Sequence, residues 1–241
     1  MLPELHRAGS LDELNRIGAE FICAAANQCI ESSGAFSLVL AGGNTPRPLY
    51  ELLAGPNFSR RLPWPKIHLF WGDERWVPSN HPDSNFGMAA KSLLAHIDIP
   101  PTNLHPIRTD LRTPEEAAAT YERDLQNYFR NAPAAKCGFD MILLGMGTDG
   151  HTASLFPGSP ALNITDRLVA AVRAPDASPA VERITLSLPA LNRASDVLFL
   201  IAGRGKTDIM QSILTQPKAS ARLYPAARVR PRRRLIWLAT L

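Results

Sequence analysis

Apolar positions run through this chain in two alternating rhythms. Phe36 to Ala41, Ile67 to Trp71, Phe139 to Leu144, Leu168 to Val172, Ile184 to Leu188, Val197 to Ala202 and Leu235 to Leu238 are short, almost unbroken apolar runs. Runs of that length read as strands buried on both faces. Between them the period lengthens. Ser10 and Glu13 form a capping box, and Leu11, Leu14, Ile17, Phe21 and Ile22 follow at helical spacing. Thr113, Pro114 and Glu116 open a second helix, with N-cap, first-position proline and capping glutamate, predicted to run to Phe129. A third is predicted from about Lys206 to Leu214. Strands alternating with helices imply an α/β protein with a mostly parallel sheet covered by helices. No repeat or low-complexity tract breaks the pattern, and the proline-bearing stretch Ile99 to Pro106 is the best candidate for a minor boundary.

Polar residues gather where the predicted strands end. In FDMILLGMGTDGHTASLFPGS, Phe139 to Ser159, a glycine-bounded strand is followed by Asp149 and His151, and Thr152 to Leu155 is expected to start a helix. Ligands of open α/β sheets bind at the carboxyl ends of the strands, and histidine exchanges protons near neutral pH. The segment is therefore the first candidate for an active site, with His151 as its proton-transfer group. Gly145, Gly147 and Gly150 also spell GxGxxG, the dinucleotide fingerprint. Asp166, the acidic residue at the spacing that motif requires, precedes the next strand instead of ending it, and His151 crowds the place of a pyrophosphate. The nucleotide reading is set aside on those grounds.

Three more strand ends carry polar segments that the sheet would bring near His151. Gly42, Gly43, Asn44 and Thr45, before Pro46, offer backbone N–H groups and a hydroxyl at a helix start, a ready anion site. Gly72-Asp73-Glu74-Arg75 reads as a charged loop in which Arg75 supplies a planar fork for phosphate or carboxylate. Gly203 to Lys206 adds a lysine without the spacing of a Walker A loop. Ser154 lies close to His151 in sequence, but nothing like a GxSxG elbow surrounds it.

Composition narrows the class. The 241 residues are 45% hydrophobic and 20% charged, ordinary for a globular protein, and no apolar stretch approaches membrane-spanning length. The first residues, MLPELHRAGSLDELNR, lack the apolar core of a signal peptide, and three cysteines without metal-ligand spacing suggest reduced thiols. A cytoplasmic protein is expected. The net charge of +4 comes largely from Arg222, Arg228, Arg230, Arg232, Arg233 and Arg234. Without interleaved aromatics this cluster reads as a solvated edge, or as one or two arginines facing an anionic substrate, and no nucleic-acid partner is expected.

Together these segments resemble the 6-phosphogluconolactonases of the glucosamine-6-phosphate isomerase/6-phosphogluconolactonase family. The likeness rests on GGNTP at Gly42 to Pro46, GDER at Gly72 to Arg75, DSNF at Asp83 to Phe86 and GTDGHTASLFPG at Gly147 to Gly158. RITLSLPALNRA at Arg183 to Ala194 and AGRGK at Ala202 to Lys206 extend it over nearly the whole chain. Asn44 stands where the family usually has serine, Thr148 where it has proline, and the chain looks short beyond Trp237.

The resemblance implies a single domain over residues 1–241, a Rossmann-like mostly parallel sheet with helices on both faces and a small elaboration, of the ribose-5-phosphate isomerase-like class. It implies hydrolysis of 6-phospho-D-glucono-1,5-lactone, a small-molecule sugar-phosphate lactone, in the second step of the oxidative pentose phosphate pathway. No metal or organic cofactor and no membrane are expected, and the oligomeric state, monomer or small homo-oligomer, stays open. His151 carries over as general base, with an apparent pKa of about 6–7 expected in the rate. Asp149 orients it or shapes its turn. Arg75 and Lys206 hold phosphate or oxyanion, Gly42, Gly43, Asn44 and Thr45 complete the phosphate cradle, and Asp73 and Glu74 touch substrate or brace the loop. The related glucosamine-6-phosphate deaminases differ at Arg75, where they carry tyrosine, and at Phe156, where they carry an acid. A sugar-phosphate sensor is the other rival, distinguished by a helix-turn-helix segment for which the residues before the first helix leave no room.

Overall fold

The computed structural model describes residues 3–132, 137–174 and 178–240. Its strands are β1 (Glu4–Ala8), β2 (Phe36–Leu40), β3 (Ile67–Trp71), β4 (Asp73–Arg75), β5 (Leu104–His105), β6 (Met141–Leu144), β7 (Val169–Val172), β8 (Arg183–Leu186), β9 (Asp196–Ala202) and β10 (Arg234–Thr240). Its α-helices are α1 (Leu11–Ser33), α2 (Arg47–Ala54), α3 (Pro56–Ser59), α4 (Asn85–Ser92), α5 (Pro114–Asn131), α6 (Leu188–Arg193), α7 (Thr207–Thr215) and α8 (Pro217–Leu223). Helix starts follow their caps: Ser10 Oγ accepts from the Glu13 N–H, and Thr113 Oγ1 from the Glu116 N–H.

Among the described residues, seven strands form one sheet in the order β1-β10-β9-β6-β2-β3-β5, every neighbouring pair parallel. β2 and β6 are buried at every position, so both faces of the sheet are covered. That is why these strands are continuous apolar runs. From β2 the chain passes through α2 to β3 on one side, while β6 lies on the other. The strand order thus reverses between β2 and β6, and the segments after them diverge around a crevice where such sheets bind ligands.

The remaining strands, β4-β8-β7, form a small antiparallel sheet. The GDER segment is therefore a strand and not a loop. Gly72 joins the two sheets: its N–H donates to Leu40 O at 3.0 Å, and its carbonyl accepts from the Leu186 N–H at 2.8 Å. Two buried tyrosines secure the strand ends nearby. Tyr50 of α2 accepts from the Ala41 N–H and donates to the Ala41 carbonyl, both at 2.8 Å. Tyr121 of α5 does the same at Trp71, both at 3.0 Å. Each phenol takes the place of a neighbouring strand at its strand end.

Several expectations need correction. The stretch from Ile99 to Pro106 is no boundary, because it carries β5 onto the edge of the main sheet. Thr152 to Leu155 is a tight turn closed by Leu155 N–H to Thr152 O at 2.9 Å, with Ala153 at φ 47°, and does not begin a helix. The run to Leu188 ends at Leu186, since Ser187 caps α6. The arginine tail is the solvated edge expected at Arg222, Arg230, Arg232 and Arg233, which are exposed, and none of its six arginines lines the crevice. Arg233 and Arg234 each approach one carboxylate oxygen of fully buried Asp196 to 2.6 Å, which satisfies a charge otherwise costly to bury.

Candidate active site

The turn after β6 is built around one carboxylate oxygen. Asp149 Oδ1 accepts from the His151 backbone N–H at 3.1 Å and lies 2.6 Å from His151 Nδ1. An ionised carboxylate only accepts, so Nδ1 is the donor, which in the neutral ring leaves the lone pair on Nε2. Gly147 is required here, because a Cβ at that position would run into His151 Nδ1 and Asp149 Oδ1. The Phe156 ring packs on the imidazole with centroids 4.7 Å apart. Asp149 thus both shapes the turn and orients the ring, two roles that the sequence left as alternatives.

His151 faces a cavity of about 270 Å³ at the reversal of strand order. Gly42, Gly43, Asn44, Thr45, Asp73, Arg75 and Lys206 line it as well, so the structure brings these sequence candidates to one place. Asn44 also accepts from Arg47 at 3.2 Å. Lys206 is half-buried, and burial pushes the pKa of its ammonium down. An outer hollow of about 680 Å³ adjoins the first, sharing Arg75, His151 and Arg183 and adding Asp149 and Phe156.

Glu74 lines neither hollow. It is buried and accepts from the N–H groups of Arg75, Asn85 and Phe86 at 2.8, 2.7 and 2.7 Å, and from Ser84 Oγ at 3.1 Å. Burial nonetheless raises its pKa, against those hydrogen bonds. Asp73 accepts from Asn85 Nδ2 at 3.0 Å and from Ser154 Oγ at 2.6 Å. Ser154 is fully buried with its proton committed to Asp73, a bracing group and not a nucleophile.

Arg183 is the residue that sequence reasoning missed as a site group. It sits opposite Arg75 in the antiparallel β4–β8 pairing and is only 4% exposed. Arg75 Nη1 donates to Asp83 O at 2.6 Å and Arg183 Nη2 to Pro179 O at 3.0 Å. The Nε–H of each is buried without a partner. Burial lowers the pKa of Arg183 against the pull of Asp73, and Arg75 lowers it further. Like charges directly opposite in a sheet repel, so a buried and a half-buried guanidinium group with unused donors call for an anion between them.

The family model for glucosamine-6-phosphate isomerases/6-phosphogluconolactonase matches residues 9–237. The chain belongs to this family. It is 46% identical over 211 residues to the 6-phosphogluconolactonase of Synechocystis sp., covering 88% of this chain and 84% of that protein. To the 6-phosphogluconolactonase of Nostoc sp. it is 42% identical over 219 residues, 91% of this chain and 88% of the relative. The crystal structure of 6-phosphogluconolactonase from Thermotoga maritima superposes with a TM-score of 0.83 at 34% identity, covering 100% of this chain and 99% of that one. A monomeric glucosamine-6-phosphate deaminase has the same fold, with a TM-score of 0.79 at 19% identity, covering 98% of this chain and 97% of the deaminase. The fold alone therefore does not choose between lactonase and deaminase, and the site must. Among the described residues no helix is long and apolar enough to cross a membrane.

Proposed function

We propose that this protein hydrolyses 6-phospho-D-glucono-1,5-lactone to 6-phosphogluconate, the second step of the oxidative pentose phosphate pathway, as one domain spanning the chain. The observation that carries the reading is the Asp149–His151 pair beside Arg75 and Arg183 at the junction of the two hollows. His151 Nε2 takes a proton from water, and the hydroxide adds to the lactone carbonyl at C1. The imidazolium that forms is stabilised by Asp149. The oxyanion on C1 is met by arginine donors. Its collapse expels the ring oxygen, which takes the proton from His151, and the product acid ionises to a carboxylate. The amides of Gly42 to Thr45 and the Lys206 ammonium line the inner cavity and supply donors and positive charge suited to the phosphate. A lactone is an activated ester, so no covalent nucleophile is required, and Ser154 is not available as one.

The deaminase alternative lacks support at position 156, where the ring of Phe156 and not an acid packs on the histidine.

Acid release from freshly generated lactone, compared with its spontaneous hydrolysis, tests the reading. His151→Ala should lower kcat by at least about 10²-fold, and the wild-type rate should fall at acid pH as the imidazole takes a proton. A folded His151→Ala protein of near wild-type rate would remove the histidine from the mechanism. No excess over background in the wild type would remove the reaction itself.

A further inference from the structure

The turn that carries Asp149 and His151 leans on a distant part of the chain. Thr148 and Asp149 are exposed and His151 is half-buried, whereas Gly150 between them is buried. Bonds inside the turn, Gly147 N–H to His151 O at 2.9 Å and Gly150 N–H to Gly147 O at 3.1 Å, set its shape and not its place on the molecule. After His151 the chain is fixed by Thr152 Oγ1, which donates to Gly145 O at 2.8 Å, and by the Ser154 N–H, which donates to Thr185 Oγ1 at 3.1 Å. Before it, support comes through Gly150. The Ala226 N–H donates to the Gly150 carbonyl at 3.0 Å. The side chain of Tyr224 lies so close to Gly150 that a Cβ there would run into its Cβ, Cγ and Cδ1. Gly150 has φ 79°, which glycine adopts without strain.

Tyr224 is itself held. It ends α8, its N–H donates to Ser220 O at 2.8 Å, and its carbonyl accepts from the Ala227 N–H at 3.0 Å. Ser220 Oγ lies 3.0 Å from Ser212 Oγ of α7, the helix that Lys206 precedes. The histidine turn and the lysine segment thus rest on one pair of helices. Tyr224 lines neither hollow, so any effect it has on the reaction passes through the turn. Displacing a reacting group by about 1 Å costs on the order of 10²-fold in rate, and both members of the Asp149–His151 pair flank the residue that Tyr224 backs.

We propose that Tyr224 is a positioning residue for lactone hydrolysis, an inference that rests on the proposed function. Its side chain backs Gly150, and so keeps Asp149 Oδ1 on His151 Nδ1 and turns Nε2 to the water it deprotonates. The contact is made by carbon atoms, and the phenol hydroxyl has no part in it.

Tyr224→Ala and Tyr224→Phe, compared in lactone hydrolysis, test the assignment. Tyr224→Ala should lower kcat by about 10- to 100-fold and leave KM within about threefold, because Arg75, Arg183 and the amides of Gly42 to Thr45 stay in place. Tyr224→Phe keeps the carbons that touch Gly150 and should retain the wild-type kcat. Nitrogen NMR of the His151 ring adds a readout independent of turnover. The neutral ring should carry its proton on Nδ1 in the wild type and in Tyr224→Phe, and divide it between Nδ1 and Nε2 in Tyr224→Ala. Unchanged kcat in Tyr224→Ala, a loss confined to KM, equal damage in Tyr224→Phe, or an unaltered tautomer in Tyr224→Ala overturns the proposal. Should Tyr224→Ala fail to fold, Tyr224→Val removes the ring, keeps a branched Cβ and is read by the same criteria. A wild-type protein inactive on the lactone would refute the proposed function instead, and the tautomer would still decide whether Tyr224 positions the imidazole.

Discussion

Arg75, half-buried, and Arg183, buried, face one another across two strands, each with an unused Nε–H. Such an arrangement stabilises a ligand at the expense of the free protein. Arg183→Gln should therefore lower kcat/KM by at least about tenfold while leaving the Tm of the ligand-free protein unchanged or raised. Paired kinetic and melting measurements check this, and a variant that loses stability along with activity would show that Arg183 braces the small sheet instead. Single residues were unequally legible. Asp149 and His151 stand two apart in an Asp-Gly turn after a strand, a local arrangement that the sequence displays openly. Arg183 looks like the polar flank of an apolar run, and only the register of β4 with β8 discloses its partner. Ser154 and Glu74 look reactive on paper, yet burial and committed hydrogen bonds hold them as supports.

At the scale of elements, the legible strands were the apolar runs, β7 and β8 of the small antiparallel sheet among them. β2, β3, β6, β9 and β10 advertise themselves because a parallel interior strand has no polar side to break the run. β1, with the sequence ELHRA, is mostly exposed, and β5 is two residues long, so neither has a period to detect. β4 consists of charged residues whose pairing partners lie far along the chain. The thin β5 edge also bears on acid stability. His105 has a native pKa of about 4, below the ordinary value of 6.5. Between those values the unfolded chain binds the proton and the folded one does not, so the stability from this ring is complete above about pH 6.5 and is lost as pH falls towards 4. The fall in Tm over that window should be shallower in His105→Phe. An unchanged slope would place the acid sensitivity elsewhere.

Across the whole molecule, the site gathers segments at residues 42–45, 73–75, 145–151, 183 and 206, supplied by both sheets. No stretch of sequence holds it. It was foreseeable only because one rule about strand ends applies to every parallel strand at once, while the second sheet that delivers Arg75 and Arg183 follows no such rule. β9, which precedes Lys206, is fixed between β6 and β10, and β10 in turn pairs with β1. This nesting has a kinetic consequence. The contacts that join the separate segments of the site span long loops, and such contacts form late because chain closure must come first. During refolding from denaturant, the environment of Trp71 and Trp237 should reach its native signal no later than lactone hydrolysis does. Catalytic activity would then serve as the clock for the final assembly step, and an active species that precedes burial of those indoles would contradict the order that the topology imposes.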